Sequence, residues 1–132
     1  AVESSITFIG RIQYADLPRY ICTGDIFAMP SRSRLAGLEV EGLGIVYLEA
    51  SACGLPVIAG KSGGAPDAVI EGETGITVDG SEPSEIAKAI TLLFDDPIKA
   101  REMGARGREW ILSNWRWEIW SEKFNKALKI RS

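Results

Sequence analysis

A chain of 132 residues has room for one domain with a real core and not for two. Its make-up, 45% hydrophobic and 25% charged, is that of a soluble globular domain, and a net charge of −3 argues against a nucleic-acid partner, which needs a basic surface. No apolar stretch approaches the ~18 residues of a membrane span, and no basic-then-apolar leader opens the chain.

In chain order, "SSITFIG" alternates apolar and polar residues and predicts a strand over Ser5–Ile9. "YADLPRYICTG" puts Leu17, Tyr20 and Ile21 on one helical face, with Gly24 as the stop. "DIFAMP" is a short apolar run closed by Pro30, as expected of a strand buried on both faces. "SRSRLAGLEVEGLG" is a glycine-punctuated loop, in which Arg32 and Arg34 form a local basic spot. "IVYLEASACG" reads as a helix from about Ile45 to Cys53, ended by Gly54, and "LPVIAG" as a second buried strand. "KSGGAPDAVIEGETG" is a loop with one helical turn near Pro66–Ile70, followed by the strand "GITVD".

Three helical patterns close the chain: "PSEIAKAITLLFDD", "PIKAREMGARGREWIL" and "WRWEIWSEKFNKALKI". Ser81 is the expected cap of the first, which opens with Glu82, Pro83 and Glu85. Asp95-Asp96-Pro97 reads as one helix ending and the next beginning. Strands alternating with helices give an α/β class: a Rossmann-like parallel sheet with flanking helices. The two cysteines, Cys22 and Cys53, have no paired spacing, and the expectation is two buried small hydrophobes in a reducing compartment. Trp110, Trp115, Trp117 and Trp120 gather near the last helices. Helix packing is the simplest account of them; a stacking platform or a surface that takes a partner are the others.

The chemistry concentrates between Glu41 and Asp67. Glu41 and Glu49 are eight positions apart, about 80° beyond two full helical turns, and Gly42 and Gly44 between them are poor helix interior residues. The consistent layout is a loop carrying Glu41, then a helix opening near Gly44, with Glu49 in its first turns. The amides of Gly44, Ile45 and Val46 would then point out of the helix end, an arrangement that attracts phosphate. Gly42 and Gly44 leave the backbone open to a ligand, and the loop falls at the carboxyl ends of the strands. Two carboxylates there suit hydroxyls, hence a nucleotide carrying a sugar. The alternative is a structural glycine turn in which Glu41 merely favours the helix end. Neither the dinucleotide fingerprint nor a P-loop is present. A second glycine loop, Ser62 to Asp67, should emerge on the same sheet edge; it too reads as a tight turn before a helix.

"EGLGIVYLEASACGLPVIAGKSGGAPDAV", with "FIGRI" upstream and "DDPIKAREMGARGREWI" downstream, resembles the nucleotide-sugar-binding domain of retaining glycosyltransferases of the GT-B architecture. The resemblance runs from Phe8 to about Leu128, and "RSRLAGLEVEGLGIVYLEA" looks most like GDP-mannose-dependent phosphatidylinositol mannosyltransferases. It implies a catalytic role for Glu41, on the donor sugar's hydroxyls, and ribose binding by Glu49. It further implies donor contacts from Gly42, Leu43, Gly44, Ile45 and Val46, base contacts from Gly10, Arg11 and Ile12, and phosphate-side contacts from Gly63 and Gly64. The implied reaction transfers a hexose, expected to be mannose, with retention, from GDP-mannose to a lipid or glycan acceptor. UDP- or ADP-hexose donors and a non-catalytic nucleotide-sugar-binding module are the alternatives. No cofactor or metal is implied, since there is no Asp-x-Asp.

The resemblance also marks gaps. The family's preceding unit, with an arginine and a lysine on the diphosphate, has no counterpart before Phe8, and Arg11 does not replace it. Residues 1–132 are therefore expected to be a C-terminal donor-binding domain lacking its acceptor domain and its own first two strands. Ser5–Ile9 would lack a partner, and Asp25–Met29 would be an exposed sheet edge. The absence of an initiator methionine fits an upstream segment. The expected partners are the nucleotide sugar, the missing part of the same protein and a peripheral membrane acceptor, on the cytoplasmic side.

Overall fold

The computed structural model describes residues 2–129. Three parallel strands form one sheet in chain order: β1 (Phe27–Met29), β2 (Val57–Gly60) and β3 (Gly75–Val78). Phe27 pairs with Val57, and Val57 with Gly75. The helices are α1 (Leu17–Ile21), α2 (Ile45–Ala52), α3 (Pro83–Asp95), α4 (Pro97–Asn114) and α5 (Trp117–Lys129). Short 3₁₀ turns lie at Glu3–Ser5, Tyr14–Asp16, Leu35–Gly37 and Ala65–Ala68. The last residue of the closing helical pattern, Ile130, is outside the described residues.

All of β2 is buried, and its alternation divides the core. Val57 and Ala59 pack with Tyr47, Ala50, Ala65, Ala68 and Val69 on the face covered by α2. Ile58 packs with Val78, Ala89, Leu93, Ala100 and Met103 on the face covered by α3 and α4. Side chains of a strand point alternately to opposite faces, so "VIAG" serves both layers at once. α4 also crosses the end of α2: a Cβ on Gly104 would collide with the Gly54 carbonyl, so this close approach requires glycine. Asp96 caps α4 by accepting from the Lys99 amide (3.0 Å), with Pro97 in the first turn, as Asp95-Asp96-Pro97 suggested.

Four expectations are corrected. Ser5–Ile9 forms no strand: Ser5 ends a 3₁₀ turn, residues 6–9 are irregular and Phe8 is 93% exposed. An alternating pattern becomes a strand only beside a pairing partner, and none stands there among the described residues. β1 is an edge strand rather than one buried on both faces, with Ala28 exposed, which agrees with the expected exposed edge. Cys22 and Cys53 are disulfide-bonded, with Cα atoms 5.2 Å apart, because the ends of α1 and α2 meet there. Cys22 is exposed, so the pair is not two buried thiols. Finally, Ser81 does not cap α3. Its amide and hydroxyl both donate to Asp79 Oδ1 (2.8 and 2.5 Å), and Glu82 stands at the cap position.

Three of the four tryptophans pack on one another, and Trp117 is exposed. Trp110 meets Trp115 edge-on at 5.6 Å, and Trp115 meets Trp120 at 5.3 Å. These contacts join α4 to α5, and Trp115, Trp117 and Trp120 wall an open groove of about 570 Å³ shared with Leu43, Ile45, Leu48 and Glu49.

Candidate functional site

The site lies at the carboxyl ends of β1 and β2, where two glycine-bearing loops meet. The first runs from Pro30 to Gly44 and enters α2. Gly44 is the N-cap, in the left-handed region at φ 69°, and a Cβ there would overlap the Tyr47 ring. Glycine is thus required twice over, by conformation and by space. The amides of Gly44, Ile45 and Val46 have no partner among the described residues, and Ile45 is 64% exposed. Gly44 is buried and Val46 half-buried, so the helix end opens to solvent at Ile45, with a positive dipole end able to take an anion.

Beneath it, Tyr47 is fully buried. Its hydroxyl donates to the Met29 carbonyl (2.7 Å) and accepts from Ser31 Oγ (2.9 Å). These bonds tie the last residue of β1 and the start of the loop to the first turn of α2. Earlier in the loop, Arg34 and Glu39 pair across a tight reversal, with Leu35 and Ala36 both at positive φ (50° and 53°). Leu35 and Leu38 stand exposed on it.

The second loop is built into the first. The Glu41 amide donates to Ser62 Oγ (3.1 Å), and the Gly64 amide donates to the carbonyls of Gly42 (2.8 Å) and Glu41 (3.3 Å). Gly63 sits at φ 53°, where a Cβ would collide with the Glu41 carbonyl. The sequence motifs at Glu41–Gly44 and Gly63–Gly64 therefore touch through their backbones. Glu41 itself is half-buried, and its carboxylate has no partner among the described residues.

Glu49 lies four residues after Ile45, on the same stripe of α2 and one turn along. It is half-buried and accepts from the Tyr14 hydroxyl (3.4 Å). Tyr14 follows the segment of Gly10, Arg11 and Ile12, which brings that segment towards α2. Gly10 is in the left-handed region (φ 74°) with open space around it, Arg11 is exposed and Ile12 half-buried. Tyr14, Leu17, Pro18, Ile21, Glu49 and Ala52 line a cavity of about 330 Å³ beside the disulfide.

Two contributors went unread in the sequence. Ser62 is 1% exposed and bonded to both Glu41 and Ser33 Oγ (3.1 Å); its only signal was a small hydroxyl residue ahead of a glycine pair. Tyr14 had no signal beyond its place after the Gly10 turn. At the neighbouring strand end, the Ser81 hydroxyl and then its amide hold the Asp79 carboxyl below the usual carboxylate range. Among the described residues no group of three or more His, Cys, Asp or Glu is gathered as metal ligands, and no helix is long and apolar enough to cross a membrane.

Comparison with known proteins places this chain in a family. The family model of "Glycosyl transferases group 1" matches residues 1–110. The chain is 53% identical over 130 residues to a GDP-mannose-dependent alpha-(1-6)-phosphatidylinositol monomannoside mannosyltransferase of Mycolicibacterium smegmatis, covering 98% of this chain and 34% of the relative. It is 48% identical over 128 residues to the GDP-mannose-dependent monoacylated alpha-(1-6)-phosphatidylinositol monomannoside mannosyltransferase of Corynebacterium glutamicum, covering 97% of this chain and 33% of the relative. The chain thus spans about a third of the length of these relatives. Among solved structures, Anabaena HepE in complex with UDP superposes with a TM-score of 0.85 at 26% identity, over 97% of this chain and 33% of that one. The chain belongs to the group 1 glycosyl transferases, with the helix-flanked parallel sheet of the GT-B fold.

Proposed function

We propose that this chain is the donor-binding, C-terminal portion of a retaining glycosyltransferase that moves mannose from GDP-mannose to a lipid or glycan acceptor. The observation that carries the reading is an open helix end flanked by two carboxylates, Glu41 before it and Glu49 one turn within it, in a chain about half identical to enzymes named for GDP-mannose. The amides of Gly44, Ile45 and Val46 bind the diphosphate, whose negative charge grows as it leaves. Glu49 takes the ribose hydroxyls and Glu41 those of the mannose. Gly10, Arg11 and Ile12 lie along the base; Gly42, Leu43, Gly63 and Gly64 complete the phosphate side. No resident metal or cofactor enters this scheme.

For retention, the acceptor hydroxyl attacks the sugar's anomeric carbon on the face the diphosphate leaves. The carbon–oxygen bond to phosphate breaks, its electron pair goes to the diphosphate, and the acceptor's proton follows to a phosphate oxygen. This domain then supplies no general base. The rest of the protein supplies the acceptor site and basic groups for the diphosphate, and binds peripherally at the cytoplasmic membrane face where a lipid acceptor presents its headgroup.

The test is a donor panel on the full-length protein. GDP-mannose should raise its melting temperature and support transfer, with UDP-glucose and ADP-glucose weaker in both assays. A preference for UDP-hexose, the reading favoured by the UDP-bound Anabaena structure, would replace the donor assignment. Indifference to every nucleotide sugar would overturn the whole reading.

A further inference from the structure

Glu41 does not hold itself in place. It lies in a stretch of irregular backbone, residues 40–44, outside any helix or strand. Both polar groups of its main chain are bonded to the other loop: its N–H donates to Ser62 Oγ (3.1 Å), and its carbonyl accepts from the Gly64 amide (3.3 Å). Gly42, the next residue, is exposed, and its carbonyl goes to the same Gly64 amide (2.8 Å).

Ser62 is suited to the task. It is 1% exposed, so it cannot be a substrate contact. It is the second residue after β2, with its own amide donating to the Gly60 carbonyl (2.9 Å) and its carbonyl accepting from the Ala65 amide (3.1 Å). Its hydroxyl joins Ser33 Oγ (3.1 Å), from the far part of the first loop, to the Glu41 amide. One buried hydroxyl therefore pins the first loop at two points, eight residues apart, onto the most buried strand of the sheet. Removing it would leave the Glu41 N–H without an acceptor in a half-buried place, a cost relieved only by moving the loop.

We propose that Ser62 is a positioning residue for Glu41, setting where that carboxylate meets the hydroxyls of the donor sugar. The inference rests on the donor-binding reading above for what Glu41 touches, but not for the anchoring itself. Glu49 and the α2 amides sit on the helix and are not held by Ser62, so the sugar end of the donor should suffer and the nucleotide end should not.

The experiment compares Ser62→Ala, Ser33→Ala and wild type in the full-length protein. Ser62→Ala is expected to lower kcat with GDP-mannose about tenfold and to leave the Kd for GDP within about twofold. Ser33→Ala, which spares the Glu41 bond, is expected to lower kcat less than about threefold. Amide exchange supplies a readout free of activity: the Glu41 N–H should exchange faster in Ser62→Ala while the α2 amides keep their rates. Unchanged Glu41 exchange overturns the anchoring. Wild-type kcat, or an equal loss of kcat and GDP affinity, overturns the selective role. Faster Glu41 exchange in a protein whose wild type ignores GDP-mannose would sink the donor reading and keep the anchor.

Discussion

Tyr47 reaches back from the first turn of α2 to the Met29 carbonyl at the end of β1, at 2.7 Å, from a fully buried position. Fifteen residues of loop separate Met29 from Ile45, so this contact, more than the loop itself, sets where the helix begins. Tyr47→Phe keeps the ring that fills the core and the edge contact with Phe27 (6.2 Å), but removes one of the two donors to the Met29 carbonyl, which keeps the Ser31 amide (2.8 Å), and leaves the half-buried Ser31 hydroxyl without its partner. The expected cost is about 0.5–1.5 kcal/mol of domain stability, measured by denaturant unfolding. Gly44→Ala should be worse for function: the left-handed conformation costs an L-residue about 1–2 kcal/mol, and the new methyl meets the Tyr47 ring. Nucleotide affinity should fall with it. A variant that binds GDP like wild type would show that the helix opening is not the phosphate site.

Glu49→Ala and Glu41→Ala separate the two ends of the donor. A charged hydrogen bond is worth roughly 1.5–3 kcal/mol, or about ten- to hundredfold. Glu49→Ala is expected to weaken GDP binding by that factor, read by calorimetry on the full-length protein. Glu41→Ala is expected to leave GDP affinity nearly unchanged and to cut turnover with GDP-mannose. The Tyr14 hydroxyl, which bonds Glu49, makes Tyr14→Phe a milder copy of the first variant. Equal kinetics in all three would remove both glutamates from the site.

What could be read from the sequence was whatever is local. "LPVIAG" had to be a buried strand, since nothing in it can face water, and β2 is buried throughout. The start of α2 followed from the poor helix propensity of Gly42 and Gly44, and Gly44 is the N-cap. The paired glutamates and both glycine loops were visible because glycine marks close backbone approach before any fold is known. What escaped depends on partners distant in the chain. Ser5–Ile9 has the alternation of a strand but no neighbouring strand to pair with among the described residues. Ser62 looks like any loop serine until the Glu41 amide arrives from 21 residues away. Ser81 had a cap's position, yet the Asp79 carboxylate two residues back competed for its hydroxyl and won.

The disulfide gives a redox prediction. Cys22 and Cys53 close a loop of 31 residues that contains β1 and all of α2, Glu49 included. By restricting the unfolded chain, a bridge across a loop of that length contributes about 3–4 kcal/mol of loop-closure entropy. Thermal unfolding of the full-length protein with and without reductant should therefore show a lower melting temperature on reduction. Cys22→Ser and Cys53→Ser should each match the reduced wild type and become insensitive to reductant. Two titratable thiols in the folded, unreduced protein would refute the pairing.

Ser51 offers a stabilising change. It is 1% exposed, and its hydroxyl has no hydrogen-bond partner among the described residues. It faces Gly107, where α4 crosses α2. A buried hydroxyl without a partner carries a desolvation cost of about 1–3 kcal/mol, while the serine methylene does the packing. Ser51→Ala should therefore raise stability by up to about 1 kcal/mol and leave turnover untouched. A loss of stability would mean that the hydroxyl has found a partner.

Asp79 supplies the pH dependence. The Ser81 hydroxyl and amide bond its charged form and hold its native pKa below the unfolded value, against a smaller opposing effect of burial. A depressed carboxylate binds fewer protons folded than unfolded. Its contribution is thus present above the usual carboxylate range and lost as pH falls through the native value. Ser81→Ala removes the hydroxyl bond and keeps the amide bond (2.8 Å). The variant should be less stable than wild type at neutral pH, and the two unfolding curves should converge in acid as Asp79 protonates in both. The carboxylate is exposed, so solvent screens the effect and its size should be small. A gap between variant and wild type that stays constant from neutral pH into acid would assign the cost of Ser81→Ala to the turn's conformation and not to the charge on Asp79.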